Sequence, residues 1–244
     1  MTVEYNELDG LSRPTSSRKR HSGCGLAVVT LILFVVTGIS ALVVWKVCFP
    51  SGGFGGVFVD NGALAHHYPP PPPHTEYAAV ARYIIHISDW ATLATISTHA
   101  NITGYPFANV FSISDGITSN STGNPYFYLT DLELSVHDLK ADPRASLTAS
   151  LAQSSYCRQR RLDPQDPVCA HVILTGEIVK IKNGTAEAAA AQQALFSRHP
   201  EMQDWPQDHG WFVARLAIRH IYLLDYFGGA KVIDPQDYYA AQPF

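Results

Sequence analysis

Several signals of catalysis and of nucleic-acid binding are missing from this sequence of 244 residues. After residue 75 we find no nucleophile motif, no glycine-rich phosphate loop and no cysteine or histidine spacing typical of a metal site. Charged residues are scarce at 16%, and 21 acidic residues outnumber the 17 Lys and Arg residues. A basic face for a phosphate backbone is therefore not expected. We predict no metal site and no nucleic-acid partner.

One long apolar run lies near the N-terminus. Residues 22–45 contain no charged residue, and a helix of that length spans the roughly 30 Å hydrocarbon layer of a bilayer. The run is longer and starts later than the apolar core of a cleaved signal peptide, which has about 7 to 15 residues. The basic cluster Arg18-Lys-Arg20 precedes it, which places the N-terminus in the cytosol by the positive-inside rule. We predict a cytosolic tail over 1–22 and a transmembrane signal-anchor helix over 23–46. The chain would then be a single-pass type II protein of the secretory and endolysosomal pathway.

A segment rich in glycine and proline follows the apolar run. Glycines dominate residues 51–56, and five consecutive prolines occupy residues 69–73. Such a composition gives an extended, semi-rigid spacer rather than a packed core. We interpret 47–75 as a stalk that holds a folded domain, 76–244, on the lumenal or extracellular side. Because such a stalk is exposed to proteases, release of a soluble form is an open alternative.

Two cysteines of the predicted lumenal part bracket a polar, proline-containing loop. Cys157 and Cys169 flank Arg158 to Val168. In an oxidising compartment the default for such a pair is a disulfide that closes the loop. A loop this short would stabilise the fold by about 3 kcal/mol in the chain-entropy treatment.

Three Asn-x-Ser/Thr triplets occur after the apolar run and none before it. They begin at Asn101, Asn120 and Asn183. Each lies in a segment that is typical of a turn, where a bulky glycan can be accommodated. Plain turn chemistry is the alternative, above all at Asn183, where Thr185 would cap the following helix. We predict N-glycosylation at these three residues.

The hydrophobic pattern after residue 75 predicts a mostly β domain with flanking helices. Helices are expected over 77–87, 131–140 and 185–199. Strands are expected over 91–98, 107–114, 126–130, 145–153 and 171–182, with one or two more over 211–227. About six strands with short helices and frequent turns indicate a small barrel.

Four stretches of the domain carry a family resemblance. They are Asp131 to Leu147, Leu174-Thr-Gly176, Arg198-His-Pro200 and Leu224 to Gly229. In this order, with the two cysteines between the first stretch and the third, they resemble the CREG glycoproteins (cellular repressors). These belong to the FMN-binding split-barrel, pyridoxamine-phosphate-oxidase-like superfamily. The resemblance implies a split β-barrel, a glycosylated homodimer, a secreted or lysosomal location, and a link to growth control, differentiation and lysosomal function.

The resemblance also raises the question of a flavin. Relatives that bind FMN carry an arginine on the second strand and another basic residue near the following short helix, because the phosphate dianion needs cations. Asn109 and His137 occupy these positions here, so both fixed charges are missing. The positions are interpreted as a vestigial FMN site, although Asn109 can donate and His137 can be protonated in an acidic lumen. Both could instead have only structural roles.

Two classes of function follow. The first is a non-catalytic glycoprotein without a cofactor, recognised through its surface or its glycans by a receptor. The second is an FMN-binding oxidoreductase of the pyridoxamine-phosphate-oxidase-like class. The remaining histidines of the domain, such as His86 and His99, are interpreted as structural.

A short motif in the predicted cytosolic tail bears on location. Tyr5-Asn-Glu-Leu8 resembles the tyrosine-based signals that clathrin adaptors bind in extended form, with an aromatic hydroxyl in one pocket and an apolar side chain in the next. The motif is short, and a tail without a signal is the alternative. We predict that Tyr5 and Leu8 direct sorting to endosomes and lysosomes.

Overall fold

The computed structural model describes residues 68–244. The predicted cytosolic tail with Tyr5 and Leu8, the predicted transmembrane helix over 23–46 and most of the predicted stalk lie outside the described residues. In the described part, no helix has the length and apolar character needed to cross a membrane.

Within residues 68–244 the chain forms one antiparallel sheet of eight strands. The strands are β1 Trp90–Ile96, β2 Pro106–Ser112, β3 Ser114–Ile117, β4 Asn120–Leu129, β5 Arg144–Ser150, β6 His171–Lys180, β7 Phe212–Leu224 and β8 Lys231–Ile233. Their order is β2-β1-β5-β6-β7-β4-β3, with β8 paired to β7. The helices are α1 Tyr77–Ile87, α2 Leu134–Ala141, α3 Tyr156–Gln159, α4 Ala186–Arg198 and α5 Pro235–Ala240. The result is a mostly β split barrel with flanking helices.

The main core lies between α1 and the sheet. Helix α1 buries Val80, Ile84 and Ile85 because apolar residues recur along one of its faces. Strand β5 alternates, so that Leu147 is buried while Thr148 is exposed. Each fully buried aliphatic side chain of this kind stabilises the fold by about 1.5 to 3 kcal/mol.

A second apolar cluster lies under α4. Ala191 and Leu195 of this helix pack with Tyr126 and Val213 of the sheet. Thr185 caps the helix, since its hydroxyl accepts a hydrogen bond from the amide of Ala188 at 3.2 Å. The main core contains residues along the whole of β7, from Phe212 to Leu223, and the second cluster contains Val213 at its start.

The sheet has two more strands than the sequence predicts. The segment 115–125 was expected to be a loop, but most of it belongs to the hairpin of β3 and β4. The buried carboxylate of Asp115 accepts hydrogen bonds from the Ser121 hydroxyl and the Gly123 amide. These contacts within the hairpin override its turn-forming composition. The other missed strand, β8, has only three residues and pairs with β7.

Several element boundaries also differ from the prediction, two of them by three residues. The strand expected over 145–153 ends at Ser150, because Leu151–Gln153 forms a 3₁₀ turn. Ser150 and Gln153 form a capping box there. The Gln153 side chain accepts a hydrogen bond from the Ser150 amide, and the Ser150 hydroxyl accepts one from the amide of Ala152. The helix expected from residue 131 begins at Leu134, whereas the one long strand within 211–227 agrees with the one or two strands expected there.

The last residues of the predicted stalk lie against the domain. The Tyr83 hydroxyl donates to the carbonyl of Pro69 at 2.7 Å, and the Glu76 amide donates to the carbonyl of Pro73 at 2.8 Å. The prolines line one side of a surface cleft of about 780 Å³, whose other walls are the start of α1 and the C-terminal residues. The polyproline run is therefore fixed at this end by the folded domain.

Candidate functional site

The candidate site lies where β1 and β2 pass beside α2. Asn109 is exposed on β2, opposite Leu93 of β1, and its side-chain oxygen accepts a hydrogen bond from the amide of Val110 at 2.8 Å. His137 is exposed on α2, and its Nε2 donates to the carbonyl of Asp131 at 2.7 Å. Each of the two predicted positions is thus bound to nearby backbone.

A chain of aromatic rings connects the two positions. Phe107 lies two residues before Asn109, so their side chains share a face of β2. The Phe107 ring contacts the ring of His99 edge-on, with centroids 5.6 Å apart, and the His99 ring lies 6.4 Å from that of His137. The structure therefore brings the residues assigned to a vestigial FMN site to one side of the domain.

A buried carboxylate, Asp138, joins α2 to the end of β1. Its oxygens accept hydrogen bonds from the Thr95 hydroxyl at 2.8 Å, the Thr98 amide at 2.7 Å and the Thr98 hydroxyl at 2.9 Å. The Nε2 atom of His99 lies 3.5 Å away. Burial opposes the charge, but the hydrogen bonds from Thr98 and Thr95 hold the pKa of the Asp138 carboxyl below its usual value.

Glu133, just before α2, is a second acidic group of the site. Burial raises the pKa of its carboxyl to about 7, although a hydrogen bond from the amide of Thr130 opposes the shift. One carboxyl oxygen is buried and has no hydrogen-bond partner among the described residues. At neutral pH this group is therefore poised between its two protonation states.

The charges around the site suit an anion poorly. Asp131, Glu133 and Asp138 all lie within eight residues of one another on or before α2. Of the two nearby lysines, Lys140 forms an ion pair with Asp131 at 3.0 Å, and Lys180 lies over the ring of Phe212 at 4.0 Å. A flavin phosphate carries two negative charges and needs fixed cations or free donors. The residues at this site do not provide them, so they do not fit the phosphate of FMN.

The domain matches a known protein family. A family model described as "CREG, beta-barrel" matches residues 72–240. The chain belongs to this CREG β-barrel family. It is 52% identical over 170 residues to Protein CREG1 of Gallus gallus, covering 69% of this chain and 88% of that protein. It is 49% identical over 162 residues to Protein CREG1 of Homo sapiens, covering 66% of this chain and 73% of that protein.

Solved structures share the CREG fold at lower sequence identity. A heme binding protein from Mycobacterium smegmatis superposes with a TM-score of 0.54 at 20% identity, covering 70% of this chain and 62% of that one. The protein Atu2129 from Agrobacterium tumefaciens superposes with a TM-score of 0.50 at 24% identity, covering 70% and 64%. At such identities the similarity shows the fold alone.

The CREG domain contains the predicted disulfide. Cys157 and Cys169 are bonded with an S–S distance of 2.01 Å and lie 5.6 Å apart at Cα. Both are buried, whereas the loop between them is largely exposed. The bond closes the connection between β5 and β6, as the sequence predicts.

All three predicted glycosylation sites of the CREG domain are exposed. Asn101 lies in the loop between β1 and β2, Asn120 starts β4, and Asn183 lies in the turn before α4. Asn101 has a positive φ of 75°, which is typical of asparagine in turns. Thr185 also caps α4, so the turn chemistry weighed as an alternative is present at Asn183 whether or not a glycan is attached.

The structural interpretation of His86 fits its environment. Its Nδ1 lies 2.6 Å from a carboxylate oxygen of Asp115, which is buried like His86 itself, and its Nε2 lies 3.0 Å from the carbonyl of Thr118. This ring holds the β3–β4 hairpin against α1. His99 differs, because it contacts both His137 and Asp138 of the candidate site.

Sequence reasoning missed Asp138 and Glu133. Asp138 occurs in the helix between Val136 and Leu139, and an acid beside apolar residues that pack on the core is a signal that could have found it. Glu133 gives no such signal, because an acid before a helix normally marks only the helix start.

Proposed function

We propose that this protein is a non-catalytic, membrane-anchored CREG-type glycoprotein of the lumen or cell exterior, acting in growth or differentiation control or in lysosomal homeostasis. The observation that supports it is the lack of a fixed cation at Asn109 and His137, the two positions where relatives that bind FMN carry basic residues. The side chains at both positions bond to nearby backbone, and the nearby Lys140 is paired with Asp131. A receptor that reads the surface or the glycans is the partner class that this function requires.

Flavin binding tests the proposal directly. The full chain, purified in detergent, is expected to carry no flavin and to leave the fluorescence of added FMN unchanged at pH 5 and at pH 7. The double variant Asn109→Arg, His137→Lys restores the two cations and serves as the matched comparison. Stoichiometric flavin in the unaltered protein would contradict the proposal and favour an FMN-dependent oxidoreductase.

One face of the sheet supports the homodimer that the family resemblance implies. A continuous row of uncharged side chains crosses six strands on this face. The row consists of Val110, Thr92, Thr148, Ile173, Tyr222 and Val232. Val110, Tyr222 and Val232 are 58%, 39% and 73% exposed. Apolar sheet surface of this kind is normally covered in a stable protein, and we assign it to a second copy of the chain.

Sedimentation of the purified protein at micromolar concentration tests the dimer. The wild-type chain is expected to sediment as a dimer. Val110→Glu places an unpaired charge in the interface and should give monomers. Leu132→Glu, an equally drastic change at a residue that is 66% exposed in the turn before α2 and belongs to no strand, is the control and should leave the dimer intact. A monomeric wild-type protein would contradict this assignment.

A sorting assay tests the predicted location in endosomes and lysosomes. Tyr5→Ala should move the protein from endosomes and lysosomes to the cell surface, because the aromatic hydroxyl needed by a clathrin adaptor is lost. Surface biotinylation measures the change, with Tyr5→Phe as a variant that keeps the ring. Equal surface levels in wild type and Tyr5→Ala would refute the sorting role and leave the anchored topology unaffected.

A further inference from the structure

Three arginines are concentrated in the loop that the disulfide closes. Arg158, Arg160 and Arg161 occur within four residues, with Gln159 among them. All three are exposed. In the described part of the chain none of them forms an ion pair with a carboxylate, and Arg160 instead lies over the ring of Tyr156 at 3.8 Å. Their guanidinium groups are therefore available to an incoming partner.

The backbone hydrogen bonds of this loop are local. Tyr156–Gln159 forms a single helical turn. The Arg161 amide bonds to the carbonyl of Arg158 at 3.1 Å, and the Leu162 amide bonds to that of Cys157 at 2.9 Å. Arg161 has a φ of 57°, in the left-handed region that side chains other than glycine rarely adopt. Opening the loop breaks no strand pairing, but it moves the partly buried side chain of Leu162 away from the core against which it packs.

The arginine spacing suits one class of enzyme. Serine endoproteases of the secretory pathway bind their substrates in extended form and can hold arginine side chains in acidic subsites. Arg161, Arg160 and Arg158 stand at the first, second and fourth positions before the Arg161–Leu162 bond. Carboxylates bind guanidinium groups in bidentate geometry, which makes three such contacts selective as well as strong.

We propose that the Arg161–Leu162 peptide bond is a processing site for such a multibasic-specific serine endoprotease. Water adds across the bond, so that its C–N link breaks, Arg161 gains a carboxylate and Leu162 gains an amino group. The inference rests on the lumenal location given under the proposed function, because only there would the chain meet this enzyme.

The cut would leave the fold in place. Strand β5 precedes the loop and β6 follows it, and seven residue pairs from Arg144↔Glu177 to Ser150↔His171 join the two strands. The Cys157–Cys169 disulfide joins the segment before the cut to the segment after it. The product is therefore a two-chain protein joined by one disulfide, with a new C-terminus at Arg161 and a new N-terminus at Leu162. Removing the left-handed backbone of Arg161 also releases local strain.

The full chain expressed in cultured mammalian cells provides the test. On a reducing gel a C-terminal tag should report a fragment whose N-terminal sequence starts at Leu162, and on a non-reducing gel only the full-size band. Arg161→Gln and Arg158→Gln should each abolish the fragment. Arg219→Gln removes the same charge from an exposed arginine of β7 and should leave cutting unchanged.

Two outcomes would overturn the inference. In the first, the chain is glycosylated, as shown by a gel shift after glycosidase treatment, but runs as one uncut band on reducing gels. It has then entered the lumen without being cut, so the inference fails while the proposed function stands. Cutting that persists in Arg158→Gln would show a protease that reads only the paired arginines and would refute the multibasic assignment. Purified wild-type chain incubated with a calcium-dependent, multibasic-specific serine protease gives the same decision without cells, since resistance at Arg161 would refute the proposal whatever the location.

Discussion

Raising the pH from about 5 to about 7.5 should destabilise the CREG domain through Glu133. The pKa of this carboxyl is raised by burial to about 7 in the folded protein, compared with 4.5 for an unperturbed glutamate. Between these values the folded state holds the proton more tightly than the unfolded state. The associated stability is fully present below about pH 4.5 and is lost as the pH rises through about 7.

The size of the effect follows from the same values. Each pH unit between the two pKa values changes the free energy of unfolding by up to about 1.4 kcal/mol. Glu133 is partly exposed, so solvent screening reduces the total to about 1 to 2 kcal/mol. For a domain of this size that corresponds to a decrease in melting temperature of roughly 3 to 6 °C.

Thermal unfolding of wild type and Glu133→Gln across this pH range measures the effect. The variant keeps an oxygen to accept the Thr130 amide but has no proton to lose, so its melting temperature should lack this decrease. Glu201→Gln, at an exposed residue, is the control and should follow the wild type. If Glu133→Gln loses as much stability as the wild type, burial of Glu133 is not the cause and the reasoning is refuted.

Three further substitutions test what holds the fold. Arg82→Met should destabilise by about 3 kcal/mol in urea unfolding, because buried Arg82 donates to three carbonyls of the C-terminal segment and to Ser121; a loss under about 1 kcal/mol would contradict this. Asp138→Asn should cost about 1.5 to 3 kcal/mol, since it weakens the charge-assisted bonds from Thr95 and Thr98; unchanged unfolding would argue against their role. Cys157→Ser should cost about 3 kcal/mol, and peptide mapping of the wild type that found free thiols at both cysteines would disprove the disulfide.

Elements with one apolar face could be predicted well from the sequence. The predicted bounds of α1, 77–87, agree with the structure because apolar residues recur at helical spacing along it. Strand β6 was predicted two residues too long at its C-terminal end, although the alternation of Val172 and Leu174 identified it. The local hydrophobic periodicity is enough to predict an element whose buried residues follow that periodicity.

Elements defined by contacts across the chain could not be predicted in this way. The β3–β4 hairpin depends on Asp115 meeting Ser121 and His86 in the interior, and no local pattern reports that meeting. The same holds for the candidate site, where the positions Asn109 and His137 came from the resemblance. The sequence can mark Asp138 as an acid among apolar residues, but its partners Thr95 and Thr98 at the end of β1 are visible only in the structure.

Glycan mapping of the full chain tests the central claim most directly. The protein is expressed in mammalian cells and treated with a glycosidase in heavy-oxygen water, so that each asparagine that carried a glycan becomes a labelled aspartate. The account predicts the label at one or more of Asn101, Asn120 and Asn183, which are all exposed. A chain without label at all three, recovered from the cytosolic side of the membrane in protease-protection assays, would contradict a lumenal glycoprotein.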